Sequence, residues 1–183
     1  MTLCIFGAGG HAMAVWDAAR AYYDNIIFFT QAADGPRSLC GCAVCRNEEG
    51  LRYDEVLAAV EDNRARLRLS RELVGRGAKL ATVIHPAAYV SPLAVVGPGS
   101  CILAQAAVGA GARTGVACVV GTGAALEQEC DLGAGVFVSA HAVVTAKSRV
   151  GDCALIGIGA AVVRDIPGNC MAAGIPAAVR KRL

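Results

Sequence analysis

The hydrophobic and polar positions follow two different patterns, and the change falls near residue 80. Before it, short apolar runs alternate with longer amphipathic segments, which is typical of a small parallel sheet flanked by helices. This pattern predicts strands at residues 3–6, 25–30 and 56–60, a tight turn at 7–10, and helices at 11–23 and 63–75. We therefore expect residues 1–80 to form a small α/β domain.

Beyond residue 80 a large aliphatic position recurs every six residues, and Thr114 is its one exception. The recurring positions are Ile84, Val90, Val96, Ile102, Val108, Thr114, Val120, Leu126, Leu132, Val138, Val144, Val150, Ile156 and Val162. Four residues after each of them, from Ala88 to Ala160, the residue is nearly always small. A helix would show a period of 3.6 and a simple strand a period of two, so a period of six indicates a structural repeat.

Each six-residue unit can form one short strand with a large and a small residue facing inward, followed by a turn. Three such strands close a triangular coil, and each coil covers the edge of the next. We expect residues 81–165 to form this β-helix, with a little over four coils between Ile84 and Val162. Residues 166–183 are expected to form a C-terminal tail.

Composition and charge exclude several classes of protein. Residues 80–112 carry no Asp, Glu, Lys or Arg, but Pro86, Pro92 and Pro98 rule out a membrane-spanning helix there. The net charge of +2, with a basic run only at residues 180–182, gives no reason to expect nucleic acid as a partner. The first residues lack the features of a signal peptide, so we expect a cytoplasmic protein.

The chain has nine cysteines, and in a reducing compartment we expect them to be free thiols. Cys40, Cys42 and Cys45 form the only metal-like spacing. No second Cys or His pair lies nearby at zinc-finger spacing, so we expect no metal and interpret these cysteines as small apolar residues.

The turn Gly7-Ala8-Gly9-Gly10-His11 follows a predicted strand and fits the loose glycine pattern of Rossmann-like dinucleotide sites. The second strand ends in Phe29-Thr30-Gln31, without the acid that binds the ribose of NAD, which argues against that cofactor. Two interpretations stay open. The turn and the following helix N-terminus bind a phosphate group, or the glycines only join strand to helix.

Several segments together resemble one family. They are "IFGAGGHA" at 5–12, "VEDNRARLR" at 60–68, "IHPAAYVSP" at 84–92, "DCALIGIGAAVVRDIP" at 152–167 and "AGIPAAVRK" at 173–181. The chain resembles the bacterial sugar O/N-acyltransferases, which include sialic acid O-acetyltransferases and UDP-4-amino-sugar N-acetyltransferases. The resemblance implies a left-handed parallel β-helix, a homotrimer, and acetyl-CoA or another acyl-CoA as co-substrate.

The resemblance also implies two groups of binding residues. A UDP-amino-sugar or a related small molecule would bind at Gly7, Gly9, Gly10 and His11. CoA would bind at Gly157, Gly159, Gly174, Pro176 and Lys181.

The chain departs from the family at its expected centre of chemistry. Members with transfer activity carry N-T-G-x-x-x-E/D-H-D/E-C, whereas residues 121–130 read GTGAALEQEC. Gln128 stands where the family has its catalytic histidine, and Glu129 stands where the family orients that histidine. A carboxamide cannot take a proton near neutral pH as imidazole does. His141, reaching in from a neighbouring subunit, is the alternative candidate for the base.

A second departure lies between Val138 and Asp165, where the chain is about eighteen residues shorter than the family pattern. This length corresponds to one coil, since a coil has three six-residue units. The lost coil would line the arm of CoA, so the shorter chain puts the coenzyme groove in question.

Two functional hypotheses follow. In the first, the chain transfers an acyl group to an amino group of a nucleotide-linked sugar, because a neutral amine can attack a thioester before it loses its proton. A hydroxyl would need the missing base during attack. In the second, the chain is a non-catalytic trimeric member that binds a nucleotide sugar or serves as a scaffold.

Overall fold

The computed structural model describes residues 1–183 as an α/β unit followed by a β-helix. The α/β unit contains five strands and two helices. They are β1 (Thr2–Phe6), α1 (Gly10–Ala19), β2 (Asn25–Phe29), β3 (Ser38–Leu39), β4 (Cys42–Cys45), β5 (Glu55–Ala58) and α2 (Asn63–Gly75). The sheet order is β3-β4-β2-β1-β5, and only the β3–β4 pair is antiparallel.

The α/β unit differs from the sequence prediction at two places. Helix α1 ends at Ala19 instead of residue 23, and the Tyr23 hydroxyl bonds to the carboxylate of Glu55 at the start of β5. The β3–β4 hairpin was not predicted. Its two-residue turn places Cys40 at φ 50° and Gly41 at φ 77°, and positive φ at both residues is the geometry of tight hairpin turns.

The second unit is a left-handed parallel β-helix, as predicted. Its two-residue strands are β6 (Val83–Ile84), β7 (Tyr89–Val90), β8 (Val95–Val96), β9 (Cys101–Ile102), β10 (Ala107–Val108), β11 (Arg113–Thr114), β12 (Val119–Val120), β13 (Ala125–Leu126), β14 (Asp131–Leu132), β15 (Phe137–Val138), β16 (Val143–Val144), β17 (Arg149–Val150), β18 (Leu155–Ile156) and β19 (Ala161–Val162). Two longer strands follow, β20 (Cys170–Ala173) and β21 (Ala178–Arg182).

Every third strand of the β-helix shares a face. The first face runs from β6 to β18 and continues into β20 and β21, the second face contains β7 to β19, and the third contains β8 to β17. The second face has five strands, so the prism has five coils, slightly more than expected. Residues eighteen apart pair directly, as Val120 and Val138 do.

The six-residue pattern predicted the core register correctly. Each recurring large position is the second residue of its strand and points inward, whereas the first residue points outward. From Ile102 to Val162 these inward side chains are almost fully buried. Thr114 fits among them because its hydroxyl oxygen accepts a hydrogen bond from the Gly97 N–H at 3.1 Å. The buried hydroxyl is therefore paired, as a polar group in a core must be.

The α/β unit covers one face and one edge of the prism. Ala12 and Val15 of α1 lie in the same buried cluster as Cys101 and Val119, which point outward from the first face. Helix α2 follows the corner between the third and first faces, where Leu67 packs with Ala117 and Cys153. The outward residues of the second face stay uncovered in the single chain, whereas part of its edge with the first face contacts α1. There His85 lies 3.6 Å from the Asp17 carboxylate, and Leu103 belongs to the same buried cluster as α1. Neither helix is long and apolar enough to cross a membrane.

Candidate functional site

The carboxyl ends of β1 and β5 form a crevice between two loops that leave the sheet in opposite directions. The helix after β1 packs on the face of the sheet that carries Leu3 and Ile5, and the helix after β5 packs on the face that carries Cys4 and Phe6. Ligands of open α/β sheets bind at such a switch point. We call the space between residues 7–10 and 59–62 the switch crevice.

Glycine is required at one position of the switch crevice and leaves open space at two others. Gly7 has φ 141°, and a Cβ there would collide with the Ala59 carbonyl oxygen. A Cβ at Gly9 or Gly10 would meet nothing within 4 Å. The backbone at the start of α1 is thus accessible from outside the domain.

The two helix starts differ in capping. Asp62 caps α2, and its carboxylate accepts a hydrogen bond from the Ala65 N–H at 2.7 Å. Gly9 precedes α1 and offers no side-chain cap. The first N–H groups of α1 therefore have no side-chain acceptor, and together with the helix dipole they suit an anion.

A cavity of about 180 Å³ adjoins the switch crevice at the ends of β1 and β2. Phe6 and Phe29 line it with ring centroids 4.9 Å apart, and Gln31 lies at the end of β2. At its rim Arg76 donates to Glu48 at 3.1 Å. Sequence reasoning missed Glu48 and Arg76, because they come from a loop and a helix end that no motif links.

His11 lies at the start of α1 but its side chain points away from the open crevice. It is 7% exposed, and its ring packs against Phe137 of the first face with centroids 5.7 Å apart. Nε2 has no hydrogen-bond partner. Burial, and then the nearby Arg66 charge, lower the pKa of His11 to about 4. His11 is neutral at pH 7, so its ring adds no positive charge to the start of α1.

Arg66 of α2 joins the crevice to the β-helix. Its guanidinium donates to the Val60 and Glu61 carbonyls of the crevice loop at 3.0 and 3.2 Å. It also donates to the carbonyls of Ala117 and Gly135, each at 2.9 Å, on the corner of the prism. Burial lowers the pKa of Arg66 from its usual value. Five backbone and side-chain acceptors, counting Asn63 Oδ1, hold this side chain in place.

Gln128 lies on the corner between the second and third faces, directly after β13. Its side chain is exposed and makes no hydrogen bond within the chain, while its carbonyl accepts from the Lys147 N–H at 3.1 Å. Glu127 accepts from the Ala146 N–H at 3.1 Å, and Glu129 lies 3.7 Å from the Lys147 ammonium. Both acids of the triplet therefore contact the next coil, and no imidazole of the same corner contacts them.

His141 lies on a different corner, between the first and second faces, so one chain does not bring it to Gln128. Its ring is exposed and packs against Gly123 of the preceding coil. Gly123 and Gln128 belong to the same coil, at opposite edges of the second face. His141 and Gln128 thus flank the uncovered face at about the same height.

The residues expected at CoA lie together at the C-terminal end of the prism. The Gly157 N–H donates to Ala172 of β20, and the Gly174 carbonyl accepts from the Ala161 N–H. Gly159 has φ 64° and open space around its Cβ position. Pro176 follows a cis peptide bond in the β20–β21 turn, and Lys181 is exposed on β21.

The cysteines do not form a metal site. All nine are free, and no group of three or more His, Cys, Asp or Glu side chains is arranged to hold a metal ion. Burial raises the pKa of Cys101 to about 12 and that of Cys118 to about 11. Cys40, Cys42 and Cys45 are half-buried on the β3–β4 hairpin.

Comparisons with known proteins agree with this architecture. A family model described as the PglD N-terminal domain matches residues 2–73. The acetyltransferase domain of PglB from Neisseria gonorrhoeae is 30% identical, the match covers 98% of this chain and 99% of that domain, and the TM-score is 0.86. The chain belongs to the bacterial sugar acyltransferases with a hexapeptide-repeat β-helix.

Two further structures of sugar acyltransferases were solved with ligands. The same Neisseria gonorrhoeae domain in complex with acetyl coenzyme A is 30% identical, with a TM-score of 0.81 and 98% coverage of each chain. PerB from Caulobacter crescentus, in complex with CoA and GDP-perosamine, is 28% identical, with a TM-score of 0.78 and coverage of 98% and 97%. No curated protein sequence gives a significant match. These matches agree with the assignment of the chain to the sugar acyltransferase family.

Proposed function

We propose that the chain transfers an acyl group from acyl-CoA to the amino group of a nucleotide-linked sugar. The switch crevice carries this proposal, because an uncapped helix N-terminus and an aromatic cavity lie side by side there. The nucleotide diphosphate would bind the backbone at Gly7, Gly9, Gly10 and His11. The PerB structure, which holds a nucleotide amino-sugar, supports this substrate class.

The acceptor is an amine because of the side chain at residue 128. Gln128 is exposed with a free carboxamide, so it can bind the acceptor but cannot remove a proton at pH 7. Glu127 and Glu129 are exposed and already contact the next coil. An amine bound in its neutral form attacks the thioester carbonyl through its lone pair. The C–S bond then breaks, and the proton leaves to water or to the thiolate of CoA.

CoA is proposed to bind at the C-terminal end of the prism. Gly159 would let the coenzyme approach the backbone, and Lys181 would face its phosphates. Gly157 would support the site from beneath, because it packs against Ala173 of β20. Gly174 and Pro176 would form the adjoining wall in the β20–β21 turn. The shorter region between Val138 and Asp165 would shorten this groove by one coil.

A homotrimer is proposed to complete the site. The first face is covered by α1, and the third face carries charged outward residues, such as Arg113 and Asp131. The second face is neutral, and its outward residues are Tyr89, Ala107, Ala125, Val143 and Ala161. Packing through this face would bring a neighbouring chain to Gln128 or His141, since they flank it. His141 from a neighbour is then the second candidate for a base.

A non-catalytic trimeric binder is the second candidate function. Residues 127–129 favour this second function, because Gln128 cannot act as a base and Glu129 contacts Lys147. In that case the switch crevice would bind a nucleotide sugar and no thioester would react.

One assay distinguishes acyl transfer from the non-catalytic function. Purified protein is mixed with acetyl-CoA and a panel of UDP- and GDP-linked amino-sugars, and free thiol is followed with time. The matched control replaces each amino-sugar with its hydroxyl analogue. Release with the amino-sugars alone supports N-acyl transfer. Release only with the hydroxyl sugars contradicts the amine acceptor, and nucleotide binding without any release supports the non-catalytic function.

A further inference from the structure

Arg66 is a buried cation that has no acidic partner. It is 1% exposed, and each of its hydrogen-bond acceptors is a neutral oxygen, four from the backbone and one from Asn63. No ion pair of the structure includes it. Buried arginines are nearly always paired with acids, since an unpaired charge is costly to remove from water. The site thus keeps a positive charge that local contacts do not neutralise.

This charge lies directly behind the switch crevice. The Arg66 guanidinium carbon is 5.5 Å from the centre of the Phe137 ring, and the His11 ring is 5.7 Å from the same centre. His11 belongs to the first turn of α1. The guanidinium also donates to Val60 and Glu61, which form the other wall of the crevice. The loop of residues 60–61 therefore separates the charge from the crevice, and on the side of α1 the Phe137 ring lies between the guanidinium and the His11 ring.

We propose that Arg66 is a positioning residue whose buried charge attracts the diphosphate of the nucleotide into the switch crevice without touching it. This inference rests on the proposed nucleotide site. Its physical reason is the low dielectric around Arg66, in which a charge acts over a longer distance and salt screens it less than at the surface. The charge adds to the positive end of the α1 dipole, which points to the same space.

Arg66 differs from the other charged groups near the crevice. His11 is neutral, so the first turn of α1 carries no second cation. The carboxylate of Asp62 caps α2, and its charge acts on Arg66 without an ion pair between them. Arg76 lines the adjoining cavity, but it is exposed and forms an ion pair with Glu48. The guanidinium of Arg66 is therefore a buried positive charge beside the crevice that no ion pair compensates.

The test compares a charged ligand with its uncharged counterpart. Binding of UDP and uridine, and of GDP and guanosine, is measured by calorimetry for the wild type and for variants of Arg66. Arg66→Met removes the charge and keeps an unbranched apolar side chain, whereas Arg66→Lys keeps the charge and loses the planar guanidinium that lies over Phe137. We expect Arg66→Met to weaken diphosphate binding roughly 10-fold and nucleoside binding less than about 3-fold. Arg66→Lys should keep most of the preference for the diphosphate.

Asn63→Asp gives a second variant, because Asn63 Oδ1 already accepts from the guanidinium at 2.9 Å. It also loses the two hydrogen bonds that Asn63 Nδ2 donates to the Cys153 and Ala154 carbonyls, and the thermal midpoint measures the cost of that loss. A carboxylate there neutralises the charge while Arg66 stays in place, and we expect the same selective loss of diphosphate affinity. Arg71→Gln is the matched control, since Arg71 is an exposed arginine of the same helix. It should leave the ratio of the two affinities unchanged. Thermal midpoints identify the variants that fold.

The outcomes separate this inference from the proposed function. Equal weakening of diphosphate and nucleoside in Arg66→Met or Asn63→Asp would show a purely structural role and overturn the inference. A wild type that binds neither ligand would overturn the proposed nucleotide site, and the inference with it. If Arg66→Met fails to fold, the Asn63→Asp ratio decides, and an unchanged ratio there overturns the inference.

Discussion

The imidazole of His141 packs against Gly123, the residue eighteen positions earlier on the same corner of the prism. A Cβ at Gly123 would lie 2.5 Å from both Nδ1 and Cε1 of that ring. The glycine also has φ 66°, which L side chains rarely adopt. Gly159, at the same place two coils from Gly123, has φ 64° and nothing within 4 Å of its Cβ position.

Substituting these two glycines distinguishes the cost of positive φ, which both positions share, from the cost of contact with the His141 ring, which only Gly123 has. We expect Gly159→Ala to lower the free energy of unfolding by about 1 kcal/mol, the cost of the left-handed backbone. Gly123→Ala should lower it by about 2–3 kcal/mol, because the ring must also move. The double variant Gly123→Ala, His141→Ala should recover the difference in urea unfolding. Equal losses in both single variants would show that the histidine moves at no cost.

Restoring an imidazole at residue 128 tests whether the rest of the site is intact. We expect Gln128→His to raise the rate of thiol release roughly 100-fold, the lower end of the effect of a positioned base, because Glu129 contacts Lys147 instead of a ring. Steady-state kinetics with acetyl-CoA and an amino-sugar measure it. Ala110→His, on the same corner one coil earlier, is the control and should change nothing. No gain in Gln128→His would place the defect in the coenzyme groove.

Because His11 is buried in its neutral form, we expect the free energy of unfolding to fall in mild acid. Its native pKa of about 4 lies below the unfolded value of about 6.5, so between these values the unfolded chain binds the additional proton. The stabilisation is fully present above pH 6.5 and is lost as the pH falls through 4. The difference corresponds to about 3 kcal/mol, as an order of magnitude.

Unfolding in urea between pH 7 and pH 4 measures this effect. His11→Leu should flatten the pH dependence, whereas the exposed His141→Gln should follow the wild type. A His11→Leu profile as steep as that of the wild type would assign the acid sensitivity to other groups.

The sequence predicted the β-helix well because its core is periodic. Ile102 and Val138 occupy equivalent inward positions two coils apart. Each such position favours a large aliphatic residue, independently of the rest of the chain. The junction with the α/β unit has no such rule. Arg66, His11 and Phe137 come from three unrelated segments, and nothing in their spacing shows that they meet.

The residues of the candidate site also divide into those that a local pattern predicts and those that distant segments bring together. The glycines of residues 7–10 were predicted from their local pattern, and at Gly7 the positive φ and the close Ala59 carbonyl do require glycine. Glu48, Arg76 and Gln31 were not found as parts of one cavity, since a loop, a helix end and a strand end converge only in the folded chain. His11 was assigned to the crevice by its place in the motif, but its side chain direction depends on what α1 packs against.

We expect the chain to form a trimer through its uncovered second face. We expect the wild type to sediment as a trimer and Ala125→Arg to sediment as a monomer, because Ala125 points outward from the middle strand of that face. A guanidinium there would be buried without a partner. Val95→Arg places the same charge outward on the third face, beside Arg113, and should leave the trimer intact. A monomeric wild type, or a trimeric Ala125→Arg, would show that this face is not the interface.

Left-handed backbone at the corners has a consequence for how new sites arise on this fold. Gln105, Glu129, His141 and Lys147 all adopt positive φ with their side chains at the surface, so these turns accept residues other than glycine. At the two edges of the second face each coil therefore displays one replaceable group, and neighbouring groups on an edge are about 4.8 Å apart because that is the spacing of paired strands. At the third edge the equivalent residues, such as Ala117 and Cys153, are buried under α2. A reactive side chain can therefore be replaced by one at the equivalent position of the next coil without any change in the core residues.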